Sequence, residues 1–112
     1  MCEFEIKERE FQIKVLHYKR DAIPNDHEYV GRPSVLGNPF HIGVDGHRDE
    51  VIAKYRAWLW DQLKEDGNVK AEIDRLAEKF IRQRGLALVC WCAPLPCHAD
   101  VIASAIEWRN QP

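Results

Sequence analysis

The run "LALVCWC", residues 86–92, constrains the fold more than any other stretch. It is apolar throughout and far shorter than the ~20 residues a membrane-spanning helix needs. A continuous apolar run of strand length, without polar alternation, reads as a central β-strand buried on both faces. Such a strand needs neighbours on its edges and helices over it. The flanking sequence offers the helices. "VKAEIDRLAEKFIRQRG" places Val69, Ile73, Leu76, Ala77 and Phe80 on one helical stripe, with Arg82 and Arg84 in its last turn and Gly85 at its C-cap. "CHADVIASAIEWR" follows as a last helix, with Pro96 near its first turn.

Upstream, "FQIKVLHY" alternates with period two and predicts a strand. "EFEIK" predicts a short strand before it, pairing with it. "HRDEVIAKYRAWLWDQLKED" predicts a helix, with Val51, Ile52, Tyr55, Trp58, Leu59 and Leu63 at helical spacing and acidic Asp49 and Glu50 in the first turn. Between them, "RDAIPNDHEYVGRPSVLGNPFHIG" reads as a long loop with a short strand near residues 28–31. The order β, β, α, α, β, α predicts a small α/β sandwich: a single domain over residues 1–112, a short mixed or mostly parallel sheet and three helices. In such sheets ligands gather beyond the carboxyl ends of the strands.

A net charge of -2 over 112 residues gives no general basic field. Nucleic acid would need a local basic patch. No stretch is long enough to span a membrane, and "MCEFEIKERE" lacks the apolar core of a signal peptide. The expectation is a cytoplasmic protein with reduced thiols, so disulfides do not explain its cysteines.

Three of the four cysteines fall in "CWCAPLPCHAD", residues 90–100, at the end of the predicted central strand. On one strand, Cys90 and Cys92 share a face. Cys97 and His98 open a helix, where the dipole lowers a thiol pKa. Three readings follow. Cys90, Cys92, Cys97 and His98 form a tetrahedral zinc set, although their spacing is unlike paired C-x-x-C knuckles. Cys97 is a nucleophile with histidine as base. Or the cysteines are small core residues and the turn is structural.

"YVGRPSVLGNPF" is the second unusual stretch. Gly31 and Gly37 permit close backbone approach. Arg32 offers a planar fork of donors to phosphate or carboxylate, with Ser34, Asn38 and His41 as polar contacts. The segment lacks the Gly-Lys-Ser/Thr of a P-loop. The plain alternative makes Arg32 a structural ion pair with Asp100 or Glu50. His17 reads as a satisfied surface or core histidine at a strand end, His27 and His47 as solvated loop histidines, and Trp58 as core. Trp60 and Trp108 read as partner contacts, and the charges of "KAEIDRLAEK" as a solvated helix face with i,i+4 pairs.

Together, "YVGRPSVLGNPF", "VIAKYRAWL" and "LALVCWCAPLPCHADVIA" resemble a family of small bacterial and phage proteins, the domain of unknown function numbered 4326. The resemblance covers roughly residues 11–107 and implies that Gly31, Arg32, Gly37, Asn38, Pro39, Cys90, Trp91, Cys92, Pro94, Cys97 and His98 are its motif positions. Ala99 stands where the family usually has glycine. The resemblance supplies no reaction. The two motifs should meet at one sheet edge, Arg32, Asn38 and His41 facing Cys92, Cys97, His98 and Asp100 beside a helix start that favours anions. The leading expectation is a phosphate-bearing ligand, a nucleotide or a nucleic-acid end. If the site is catalytic, Cys97 is nucleophile or His98 and Asp100 work as acid and base, with Arg32 stabilising charge. The alternatives are a non-catalytic zinc or protein-interaction module and a phage-type host inhibitor.

Overall fold

The computed structural model describes residues 11–92 and 95–111. The strand expected in "EFEIK" lies outside them. In chain order the elements are β1 (Gln12–His17), β2 (Glu28–Tyr29), α1 (Arg48–Leu63), α2 (Asn68–Gln83), β3 (Gly85–Cys90) and α3 (His98–Arg109). The fold is a small α/β domain, in which the described residues form three helices and a short three-stranded sheet ordered β1-β3-β2. Both pairings are parallel. Ile13 sits opposite Leu86, Val15 opposite Leu88, and Tyr29 opposite Val89.

Period-two alternation decides the core face. Leu86, Leu88 and Cys90 point into one cluster with Tyr55 and Leu59 of α1, Ile73 and Leu76 of α2, and Ile102 and Ile106 of α3. Ile13 and Val15 pack against it from β1. The expected burial of β3 on both faces holds only near its carboxyl end. Val89 is fully buried, but Ala87 is partly open and its β1 neighbour Lys14 is exposed. The strand is also shorter than the apolar run. It ends at Cys90, and Trp91 and Cys92 form a bend. Trp91 is 47% exposed despite the apolar run, and the ladder closes with Tyr18 N–H to Cys90 O at 2.8 Å and Val30 N–H to Val89 O at 3.0 Å.

The helix caps follow local chemistry with one departure. Gly67 precedes α2 as its N-cap, but Arg84, not Gly85, takes the left-handed conformation at the C-cap, with φ 60°. Gly85 then starts β3, where a Cβ would approach the Gln12 carbonyl at 3.3 Å.

Short β2 is held by charge as well as by its ladder. Glu28 receives Arg75 Nη2 at 2.6 Å and contacts Lys79, and Lys79 also reaches Asp26 at 2.8 Å. Burial pushes the Glu28 carboxyl up, but the bonds from Arg75 and Lys79 outweigh it and hold the group below its ordinary 4.5. A carboxylate depressed in the folded state stabilises above its unfolded pKa, and that stabilisation is lost as pH falls through the folded one. Urea midpoints should therefore drop as pH is lowered from about 5 to 3. In Glu28→Gln the drop should be smaller, and an identical pH profile would show that β2 is not anchored this way.

Candidate functional site

Because all strands run parallel, His17, Tyr29 and Cys90 end at one edge of the sheet. A cavity of about 400 Å³ opens there. Gly31, Arg32, Asn38 and His41 line it from the glycine-proline loop, and Cys92, Pro96, Cys97 and His98 line it from the cysteine stretch. The structure therefore brings the two motifs to one crevice. Ser34, Gly37, Cys90 and Asp100 are not part of its lining.

The loop keeps its shape through close approaches. A Cβ on Gly37 would stand 3.0 Å from Arg32 Cα and from the Ser34 carbonyl, so glycine lets the turn fold onto itself. The turn is closed by Ser34 N–H to Gly31 O and Gly37 N–H to Ser34 O, each 2.9 Å. At Gly31 a Cβ would meet the Tyr29 hydroxyl, which donates to the Arg32 carbonyl at 2.8 Å. Ser34 Oγ is buried and has no hydrogen-bond partner among the described residues.

This frame leaves the Arg32 guanidinium facing the cavity. It donates to His41 Nδ1 at 2.7 Å and weakly to the Asn38 carbonyl at 3.4 Å. The ion pair with Asp100 or Glu50 is not formed. Glu50 Oε1 accepts from His47, and Asp100 Oδ2 accepts the Cys97 backbone N–H at 2.9 Å. Among the described residues no carboxylate pairs with Arg32.

The cysteine stretch is an internal hydrogen-bonded thread. Cys97 is the N-cap of α3, and its thiol lies against Cys90. Since the Val30 carbonyl can only accept, His98 Nε2 carries the proton in their 2.7 Å bond. The thiol of Cys97 then donates to the bare Nδ1 at 3.3 Å. Burial, helped by the nearby charge of Arg32, lowers the His98 pKa and keeps the ring neutral. The neighbouring Cys90 thiol, and then burial, push the Cys97 thiol up. That is opposite to the lowering expected from the helix start: desolvation and a thiol neighbour outweigh the dipole. Cys90, Cys92, Cys97 and His98 lie close in sequence, yet among the described residues no three His, Cys, Asp or Glu side chains form a group that could hold a metal ion.

A thiol reagent distinguishes these environments. In a Cys2→Ser background, native protein should show one fast thiol, half-buried Cys92. Cys90 and Cys97, 0% and 2% exposed, should react only after denaturation. Rapid labelling of Cys97 would contradict the buried neutral thiol.

Sequence reading missed the other cation. Arg48 opens α1, lines the cavity and donates to the Pro96 carbonyl at 3.0 Å. It has no carboxylate partner among the described residues. A positive charge at a helix N-terminus works against the helix dipole, and that broken rule was the available signal. Apolar and aromatic lining comes from Tyr29, Phe40, Ile42, Ile52 and Trp91. The described lining contains no Asp or Glu. Of the remaining histidines, His17 Nδ1 accepts the Lys19 N–H at 3.0 Å, His27 Nδ1 bonds the Pro24 carbonyl at 2.8 Å, and His47 caps α1 beside Glu50.

A family model described as "Domain of unknown function (DUF4326)" matches residues 13–108. An uncharacterised 12.4 kDa protein from the nrdA–td intergenic region of Enterobacteria phage T4 is 32% identical over 91 residues, covering 80% of this chain and 72% of that protein. No solved structure matches significantly. The chain belongs to the DUF4326 family.

Proposed function

We propose that this DUF4326 member binds a phosphate-bearing ligand, a nucleotide or a nucleic-acid end, in the crevice between its two motifs. One observation carries the reading: Arg32 and Arg48, neither paired with a carboxylate among the described residues, line one cavity whose described lining holds no acidic side chain. In a protein of net charge -2, two unneutralised guanidinium groups at one concave site favour an anion. The start of α3 at Cys97 and His98 adds backbone dipole of the same sign. Aromatic and aliphatic lining beside the arginines suits a ligand with a flat apolar part.

Binding is favoured here over catalysis. The Cys97 thiol is protonated and buried, both His98 ring nitrogens are engaged, and the Asp100 carboxylate caps α3. These groups hold the crevice in shape. A cytoplasmic setting, where thiols stay reduced, suits the hydrogen-bonded Cys97. Among the described residues no helix is long and apolar enough to cross a membrane. A protein-interaction role has one observation in its favour: Trp108, 51% exposed, packs edge-on against Trp60 at 4.9 Å on the α1 and α3 surface.

Calorimetric titration tests the reading. Inorganic pyrophosphate and thymidine monophosphate should bind, with affinity falling as salt rises, and unphosphorylated thymidine should not. Absence of heat with both phosphate compounds at low salt would sink it.

A further inference from the structure

From the crevice lining an aromatic pair extends onto the carboxyl edge of the sheet. Register places His17 opposite Cys90, so the next residues, Tyr18 and Trp91, leave adjacent strands side by side at the carboxyl edge. Their rings stack at 4.8 Å with an interplanar angle of 30°. Core aromatics are buried, yet these two are 51% and 47% exposed. The pair is held in place from beneath. Trp91 Nε1–H donates to the Tyr29 hydroxyl at 2.9 Å, and the Tyr29 ring meets Tyr18 edge-on at 6.1 Å. The indole's polar atom is thus satisfied internally, and both residues stay about half exposed although each ring covers the other on one face. Lys19 Nζ stands 5.6 Å from the Trp91 ring centre, and Arg20 follows it. Neither cation is paired with a carboxylate among the described residues. Trp91 also lines the cavity, so the platform continues from it.

We propose that the ligand is the phosphorylated end of a single-stranded nucleic acid, its terminal phosphate in the crevice at Arg32 and Arg48 and a base stacked on the exposed Tyr18–Trp91 pair. The assignment rests on the phosphate reading above and adds a base subsite to it. A preorganised aromatic surface with unpaired cations beside it is how proteins hold single strands without reading sequence. In a duplex the bases are stacked on each other and unavailable to such a platform. A cavity of about 400 Å³ has room for a mononucleotide, but that ligand would leave Tyr18, which is not among the lining residues, uncovered. A strand leaving the crevice past Trp91 would cover it and bring its backbone toward Lys19 and Arg20. Stacking accepts any base, so little sequence preference is expected.

The test is fluorescence anisotropy with thymidine pentanucleotides carrying a phosphate at the 5′ or the 3′ end, compared with competition by thymidine monophosphate and inorganic pyrophosphate. One phosphorylated oligonucleotide should bind roughly ten-fold or more tightly than the monophosphate. Tyr18→Ala should remove that advantage and Tyr18→Phe should keep it, since only the ring is needed. If neither oligonucleotide exceeds the monophosphate, or a blunt phosphorylated duplex binds as well, or Tyr18→Ala changes nothing, the base subsite is wrong. Retained pyrophosphate binding would then leave the phosphate reading standing. Loss of pyrophosphate binding in the unaltered protein would remove both.

Discussion

Arg32→Ala combined with Arg48→Ala should weaken pyrophosphate binding by at least about 100-fold, because each charge-assisted contact to an oxyanion contributes about 1.5–3 kcal/mol. Each single change should cost about ten-fold or more on the same scale. Arg32→Lys should recover only part of the loss. It restores charge, but not the flat fork that can bond His41 and a phosphate oxygen together. Arg56→Ala, an exposed cation on α1 away from the lining, is the charge-matched control and should bind as the unaltered protein does. Circular dichroism should show the double variant folded, since Arg32 and Arg48 make only surface hydrogen bonds. A folded double variant with unchanged affinity would place the anion elsewhere.

Leu88→Ala should lower stability by about 3–4 kcal/mol, a large part of the 5–15 kcal/mol typical of a domain. Leu88 is 0% exposed, lies in the middle strand and contributes to the cluster shared by all three helices. Truncation leaves a cavity that the sheet cannot close without moving its ladder, and Tm should fall by roughly 10 °C or more. Lys14→Ala on the exposed face of β1 should stay within about 0.5 kcal/mol. Urea unfolding of the two variants decides the point. A loss below about 1 kcal/mol at Leu88 would show that β3 is not the centre of the fold.

The helices were legible because their signal is local. Val69, Ile73, Leu76, Ala77 and Phe80 recur on one stripe, and the structure buries all five. Strand order was less legible, since β1-β3-β2 is set by contacts far apart in the chain and β2 has only two residues. The cysteine stretch shows the limit most clearly. Its position beyond the central strand could be read, but the register that ends the strand at Cys90 could not. That register leaves Cys92 lining the cavity while Cys90 stays in the core. Nor could sequence reveal that the Val30 carbonyl fixes the His98 tautomer, because the partners lie 68 residues apart. The sequence reading did not single out Arg48 within the predicted helix "HRDEVIAKYRAWLWDQLKED". Tertiary placement beside Pro96 makes it the second cation of the crevice.

The central claim is that an anion sits between Arg32 and Arg48 at the carboxyl edge of the sheet. The most direct measurement is a nuclear magnetic resonance titration of nitrogen-15-labelled protein with inorganic pyrophosphate. The account predicts the largest backbone shifts at Gly31, Arg32, His41, Arg48, His98 and Ala99, with little change at the far end of the sheet around Gln12 and Gly85. Shifts confined to other surfaces, or none at saturating pyrophosphate in low salt, would contradict it.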